Sequence, residues 1–272
     1  MAEKKILLAF YSGAGSTRTV AEVMQSRLEA YGYSSDLLDI DANTIPPDFE
    51  NYDFLVLGTS THHCYPPKTI SEFVDKIEKQ TTPKNIFLFA TYGLYVGNNL
   101  RIIGKSLLSK NIRTVGFAGF RSPAADATLM FPTFIKMMYR FEANVKDKII
   151  KAVSEINKLI QSDKAKVRIP IYKWYAPLDW FPNKYYTARK FDRDFKPNIR
   201  LLPERWDGKP IDCPRNCWEM VGDEPKYSKD NCDFCLRCVH RTPNKAVIYS
   251  IGMQDRQRLD IEFYNRLKKD LL

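Results

Sequence analysis

The sequence predicts an α/β fold: a five-stranded, doubly wound parallel sheet followed by a second, smaller module built round cysteines. Three observations carry this. Short apolar runs alternate with stretches of helical period from residue 5 to residue 160. A turn of glycines and hydroxyls joins the first run to the first helix. Three cysteines, Cys232, Cys235 and Cys238, recur at two-residue gaps near the other end.

Residues 5–11, Lys-Ile-Leu-Leu-Ala-Phe-Tyr, form a continuous apolar run, the pattern of a parallel strand buried on both faces. After Ser12-Gly-Ala-Gly-Ser-Thr-Arg-Thr19, the residues Val20, Val23, Met24 and Leu28 keep helical spacing, and Gly32 closes the helix. Further strands are expected over 36–40, 54–58, 85–90 and 114–120, with a helix over 70–77 and another after Asn99. Polar and aromatic loops, 59–67 and 91–99, leave the third and fourth strands. A helix over 141–160 sets Val145, Ile149, Val153, Ile156 and Ile160 on one stripe and closes a first domain of residues 1–165.

A strand, a hydroxyl-rich turn and a helix N-terminus together make an anion site, because free backbone N–H groups converge there. The turn lacks the Gly-Lys pair of a Walker loop, and Arg18 stands where a dinucleotide fingerprint needs its third glycine. Hydroxyls at Ser12, Ser16, Thr17 and Thr19 suit a single phosphate monoester. The competing reading is a plain strand–helix turn with an N-cap. The alternation of strands and helices favours the first, with a flat ring seated between the third and fourth loops.

The C-x-x-C-x-x-C run at Cys232, Cys235 and Cys238 aims three thiolates at one cuboid centre. In the bacterial ferredoxin pattern the run continues to a Cys-Pro whose thiolate serves the other cluster. Here that position is Thr242, followed by Pro243, and the upstream half-motif has Lys209, Trp206 and Pro203 where its cysteines would stand. Cys213-Pro214 survives as the crossed ligand. One 4Fe–4S cluster is therefore expected on Cys213, Cys232, Cys235 and Cys238, with Cys217 as the alternative fourth ligand. A Cys₄ zinc site is the rival, since it also uses C-x-x-C knuckles. Cys64 stands apart and reads as a small packed hydrophobe.

Residues 166–205 form a proline-punctuated strap bearing Trp174, Tyr175, Trp180, Phe181, Tyr185, Tyr186, Phe191 and Phe195 among basic residues. It reads as packing that joins the two modules, against single-strand nucleic-acid stacking as the competing reading. The cysteine module spans 206–255. A final helix, 256–272, carries Leu259, Phe263, Leu267 and Leu271 at four-residue spacing. The formal net charge of +10 falls mostly after residue 166 and suits an acidic protein partner, with nucleic acid unlikely. Residues 1–5 show no secretory signal, no apolar run approaches the ~20 residues of a membrane span, and six cysteines suit a reducing, cytoplasmic setting.

Through Ser12-Gly-Ala-Gly-Ser-Thr17, Thr91-Tyr-Gly93 and Pro66-Pro-Lys68, the first domain resembles a flavodoxin. Taken with the cysteine run, residues 1–255 resemble the flavodoxin-domain ferredoxins of anaerobic bacteria and archaea. The resemblance implies a flavodoxin-like sheet, FMN as the first cofactor, and a ferredoxin-like iron–sulfur domain. It implies FMN contacts from Ser12, Gly13, Ala14, Gly15, Ser16 and Thr17; from Ser60, Thr61, His62, His63 and Tyr65; and from Thr91, Tyr92, Gly93 and Asn98. The family's third loop carries a Pro-x-aromatic pattern where this chain has Ser60-Thr-His-His63, so His62, His63 and Tyr65 all stand as candidates to stack on the ring opposite Tyr92. The family commonly holds two clusters, and this sequence supports one. The expected function is an electron-transfer flavoprotein passing electrons between one cluster and FMN, and a dedicated substrate is not legible. The alternative is a zinc-binding or redox-sensing regulatory or nucleic-acid-binding protein with an empty flavodoxin domain.

Overall fold

A computed structural model describes residues 4–62, 64–130, 132–162, 165–174, 199–249 and 255–272. Strands β1 (Lys5–Phe10), β2 (Ser34–Asp39), β3 (Phe54–Ser60), β4 (Lys84–Tyr92) and β5 (Ile112–Arg121) form one sheet in the order β2-β1-β3-β4-β5. Every pairing is parallel. This is the flavodoxin-like α/β fold that the alternation of elements predicts.

Side chains alternate across a strand, so β1 feeds two cores at once. Ile6, Leu8 and Phe10 meet Val20, Met24 and Leu28 of helix α1 (Ser16–Glu29) on one face. Leu7, Ala9 and Tyr11 meet Ile70, Phe73 and Val74 of α2 (Lys68–Lys76), and Leu100, Ile103 and Leu107 of α3 (Asn99–Ser109), on the other. A short α4 (Ala127–Met130) follows β5. Helix α5 (Val145–Gln161) joins α1, with Val145, Ile149, Val153 and Ile156 inward. Its expected start at residue 141 shifts because Phe141 is already buried as a loop residue. Each fully buried Leu, Ile or Phe contributes about 1.5–3 kcal/mol, which makes the two-faced strands the stable centre. The half-exposed β2, Ser-Ser-Asp-Leu-Leu-Asp, sits at the edge, where polar side chains protect an open strand.

The cysteine module is small. Strands β6 (Arg200–Leu201) and β9 (Val247–Ile248) pair antiparallel, as do β7 (Trp218–Val221) and β8 (Glu224–Tyr227). The β7–β8 turn is Gly222-Asp223, with Gly222 at φ 67°, as a two-residue hairpin requires. Helix α6 (Arg237–Arg241) carries Cys238. The chain then returns to the sheet domain as α7 (Ile261–Leu271), shorter than the expected 256–272 because Asp260 caps it by accepting from the Phe263 N–H at 2.8 Å. Leu259 is buried but lies before the helix. Leu271 joins the core on the α1 side, and Arg27 Nη2 donates to the carbonyls of Leu271 and Leu272 at 3.0 Å each. The cysteine module is thus inserted between the sheet and a last helix that packs on it.

The start of the strap runs beside β5 and α3: Arg168 N–H donates to Thr114 O at 2.7 Å, and Arg101 Nη1 to Pro170 O at 2.8 Å. Trp174 is exposed. The other strap aromatics named above, from Tyr175 to Phe195, lie outside the described residues. Among the described residues no helix is long and apolar enough to cross a membrane.

Gly58 sits mid-strand opposite Phe89, where a Cβ would lie 2.1 Å from the Phe89 ring. Gly58→Ala is expected to destabilise the protein by roughly 1–3 kcal/mol, as overpacking does. Phe89→Leu in the same chain should return part of that loss. Denaturant titration of both singles and the double checks it: strict additivity would contradict the contact.

Candidate functional site

The loops after β1, β3, β4 and β5 all leave one edge of the sheet, and a cavity of about 520 Å³ lies among them. Its lining takes in Ser12, Gly13, Ala14, Ser16 and Thr17 from the first loop. Ser60, Thr61 and His62 come from the third, and Thr91, Tyr92 and Gly93 from the fourth. Of the remaining candidates, Gly15, Tyr65 and Asn98 are not in that lining, and His63 lies outside the described residues.

The first loop has the features of an anion cradle. Gly15 caps α1 without a side chain closing over the first turn, and no acidic residue stands in that turn. Ser12 is fully buried at the cavity, and its Oγ has no hydrogen-bond partner among the described residues. An unpaired buried hydroxyl costs about 1–3 kcal/mol, so it calls for a ligand atom. Thr17 and Thr91 share a hydrogen bond of 2.8 Å that ties the first loop to the fourth. Ser16 Oγ lies 2.9 Å from the Tyr264 hydroxyl.

The third loop is held from outside the sheet domain. His62 Nδ1 lies 3.0 Å from the Asp233 carbonyl oxygen, which only accepts, so Nδ1 carries the proton. Nε2 then accepts from Ser60 Oγ at 3.2 Å. His62 stands at the cavity wall with a fixed tautomer, and Tyr65 pairs with its backbone behind it. Asn98 is turned away to Lys173, accepting from its N–H at 2.8 Å and donating to its carbonyl at 3.3 Å. The Tyr92 phenol is shifted up by burial, then by Glu142.

The sequence reading missed several lining groups. The segment 122–127 after β5, Leu94 and Tyr95, the buried Cys64, and Tyr264 of α7 all reach the cavity. Tyr264 shares a helix face with Leu267 and Leu271, a signal legible at i, i+3 and i+7. Its ring lies where a Cβ on Gly15 would sit, 2.3 Å away.

Five cysteines gather in the second module. Phe234 (φ 51°) and Leu236 (φ 59°) are left-handed between the three cysteines of the run, and Asn216 (φ 52°) is so between Cys213 and Cys217. Non-glycine residues adopt that conformation at a cost, and here it turns the chain sharply between successive cysteines. The Phe234 N–H donates to Cys232 Sγ at 3.2 Å, and the Cys217 N–H to Cys213 Sγ at 3.4 Å. Cys217 does not leave the group. Its thiol donates to the Arg215 carbonyl at 3.7 Å, and its nearness lowers Cys213 to about 6 and lowers Cys232, while its own proton is held more tightly. Burial pushes Cys235 up to about 12 and Cys238 well up. Among the described residues no group of three or more His, Cys, Asp or Glu side chains is arranged to hold a metal ion. Thr242, at the lost ligand position, donates its hydroxyl to Cys238 O at 2.7 Å.

The two modules meet along the first loop. Arg237, buried, donates from Nε to Ser12 O at 3.2 Å and Gly13 O at 3.3 Å, and Arg241 Nε donates to Ala14 O at 3.2 Å. Asp212 accepts from both arginines, at 3.4 and 3.2 Å. Gly13 must be glycine, because a Cβ would lie 2.7 Å from the Cys235 carbonyl oxygen. Phe234, Cys235 and Leu236 thereby form one wall of the cavity. His240 bridges further, donating from Nε2 to Ala125 O at 2.9 Å and accepting from Leu259 N–H at 3.0 Å. Burial holds it neutral, with its pKa lowered to about 4.

Residues 7–118 match the family model of the flavodoxin domain. Human methionine synthase reductase is 28% identical over 114 residues, which take in 38% of this chain and 16% of that protein. The chain thus spans a small part of that relative. Among solved structures, oxidised flavodoxin 1 from Bacillus cereus shares 15% identity at TM-score 0.44, covering 59% of this chain and 100% of its own. A flavodoxin from the domain Archaea shares 13% at TM-score 0.41, covering 58% and 99%.

Helix α2 begins at Pro67-Lys68 and has no capping side chain of its own. Asp233 supplies one from the cysteine loop, accepting from Lys68 N at 3.2 Å, Thr69 N at 3.0 Å and the Thr69 hydroxyl. Asp233→Ala is expected to cost about 1–3 kcal/mol, since it removes a cap and leaves buried N–H groups unpaired. Urea denaturation checks this, and a loss below about 0.5 kcal/mol would contradict the cross-module cap.

Proposed function

We propose that this protein is a two-cofactor electron carrier, with FMN in the cavity and one 4Fe–4S cluster on Cys213, Cys232, Cys235 and Cys238. The observation that carries the reading is the shared wall: residues 234–236 line the cavity and also hold a cysteine of the run. Bound FMN would supply chemistry in steps of one or two electrons, and a bound cluster would supply single electrons.

The donors present suit both groups in kind, although the described cysteines are not drawn into one metal-holding group. For a phosphate monoester there is the unpaired Ser12 hydroxyl, the uncapped first turn of α1, and the hydroxyls of Ser16 and Thr17. Thr91, Tyr92 and Gly93 would flank the ring on one side, with His62 on the other. For the cluster there are buried thiols at Cys232, Cys235 and Cys238, half-buried Cys213, and backbone N–H groups aimed at Cys213 and Cys232. The residues of this chain bind, orient and exclude water; the match to a flavodoxin domain supports the FMN part of the reading. An acidic redox protein suits the basic excess of the chain as its partner.

Anaerobic purification tests it. The expected protein is brown-yellow, releases FMN on denaturation, and holds about four irons and four sulfides per chain. Zinc without iron, or released FAD, would falsify the assignment.

The ligand set has its own test. Cys217→Ser is expected to keep a full cluster. Cys213→Ser should yield a labile one or one rescued by Cys217, whose thiol already lies beside Cys213 and Cys232. The double variant should hold none. Loss of the cluster in Cys217→Ser with a silent Cys213→Ser would exchange the two roles.

A further inference from the structure

Two arginines lie behind the anion loop. Arg237 and Arg241 stand four residues apart on α6, so both leave the same face of that helix. Arg237 donates from Nε to the carbonyls of Ser12 and Gly13, and from Nη2 to that of Ser12 as well. Arg241 donates from Nε to the carbonyl of Ala14 at 3.2 Å. Three consecutive carbonyls of the loop are thus held by one short helix of the cysteine module. Carboxylates keep the guanidiniums in place: Asp212 pairs with both, and Asp39 pairs with Arg237 and with Arg18.

In a planar trans peptide the carbonyl and the following N–H point opposite ways. The carbonyls of Ser12, Gly13 and Ala14 face the arginines, so the N–H groups of Gly13, Ala14 and Gly15 face away from them. None of these three N–H groups has a backbone acceptor among the described residues. Ser12, Gly13 and Ala14 line the cavity, whereas Arg237 and Arg241 do not. The Ser12 hydroxyl, fully buried, also has no partner among the described residues. A loop with two glycines samples many shapes when nothing restrains it. Donors act best on an anion when their geometry is fixed before it arrives, and here two guanidiniums fix it.

We infer that Arg237 and Arg241 are positioning residues for a bound phosphate: they hold the loop in its anion-binding shape from behind. The preference of the cavity for a phosphorylated flavin over the same flavin without its phosphate is therefore set from the cysteine helix. The inference rests on reading the cavity as an FMN site and is independent of what the cysteines hold. Neither arginine lines the cavity, so the effect passes through the backbone of residues 12–15.

The experiment uses the full chain, purified anaerobically and freed of flavin, as wild type, Arg241→Gln, Arg241→Lys and Arg237→Lys. Arg101→Gln is the control, since Arg101 donates to Pro170 O at 2.8 Å, away from the loop. Dissociation constants for FMN and for riboflavin are measured side by side by fluorescence titration. Wild type and control are expected to prefer FMN by the same factor. In Arg241→Gln that factor should fall about tenfold, as for one hydrogen bond lost to a charged group, with riboflavin binding unchanged. Arg241→Lys keeps a donor for the Ala14 carbonyl and should retain more of the preference; Arg237→Lys should lower it. Variants that weaken FMN and riboflavin by the same factor, or change neither, overturn the inference and leave the FMN reading intact. The arginines would then serve only to join the modules. A wild type that binds neither flavin, or both equally, overturns the inference and the FMN reading together. If one variant does not fold, the others decide by the same criterion.

Discussion

The guanidinium of Arg237, buried between the first loop and the cysteine helix, is the contact on which the arrangement depends. A buried cation is tolerated only where its hydrogen bonds and charge are met. Here the carbonyls of Ser12 and Gly13 accept from it, and Asp39 and Asp212 balance it at 3.5 and 3.4 Å. Because these acceptors are backbone atoms of the anion loop, the loop's shape and the seat of the cysteine run are one structure. Asp233 capping α2, Arg215 paired with Glu72, and His62 bound to the Asp233 carbonyl extend the same seam along the third loop. The cavity is therefore roofed by both modules.

That seam explains why the cysteine module, with few strands and short helices, keeps a defined place. Its own core is small, and much of its order comes from charged and polar groups reaching into the larger domain. The return of α7 reinforces this. Leu271 packs into the core beside α1 while Tyr264, two turns earlier, closes over Gly15. A chain that leaves the sheet domain, forms the cysteine centre and comes back is fastened at both ends of the excursion.

The sheet was legible because each of its strands is a local apolar run and each helix a local stripe; β1 reads as a two-faced strand without knowing its neighbours. The first loop was legible for the same reason, as seven or eight contiguous residues with one chemistry. What escaped was long-range. Tyr264 meets Gly15 across the whole chain, Asp233 caps a helix that starts at Lys68, and no local pattern announces either. Asn98 and Tyr65 sat in the expected loops, but the Asn98 side chain turns to Lys173 and Tyr65 is absent from the cavity lining, because a loop's sequence does not fix which side chains face its cavity. Cys217 was legible only as an alternative to Cys213; the left-handed Asn216 between them turns the chain so that both thiols stay in the group. The β7–β8 hairpin had a readable Gly-Asp turn that the cysteine pattern overshadowed.

The central claim is that a flavin and an iron–sulfur centre share the wall formed by residues 234–236. Anomalous diffraction from crystals grown anaerobically, recorded at the iron and zinc edges, tests it most directly. The account predicts an iron-edge peak among Cys213, Cys232, Cys235 and Cys238, and flavin density in the cavity on the other side of Phe234 and Leu236. A zinc-edge peak at those cysteines, or iron there with flavin density elsewhere in the molecule, would contradict it.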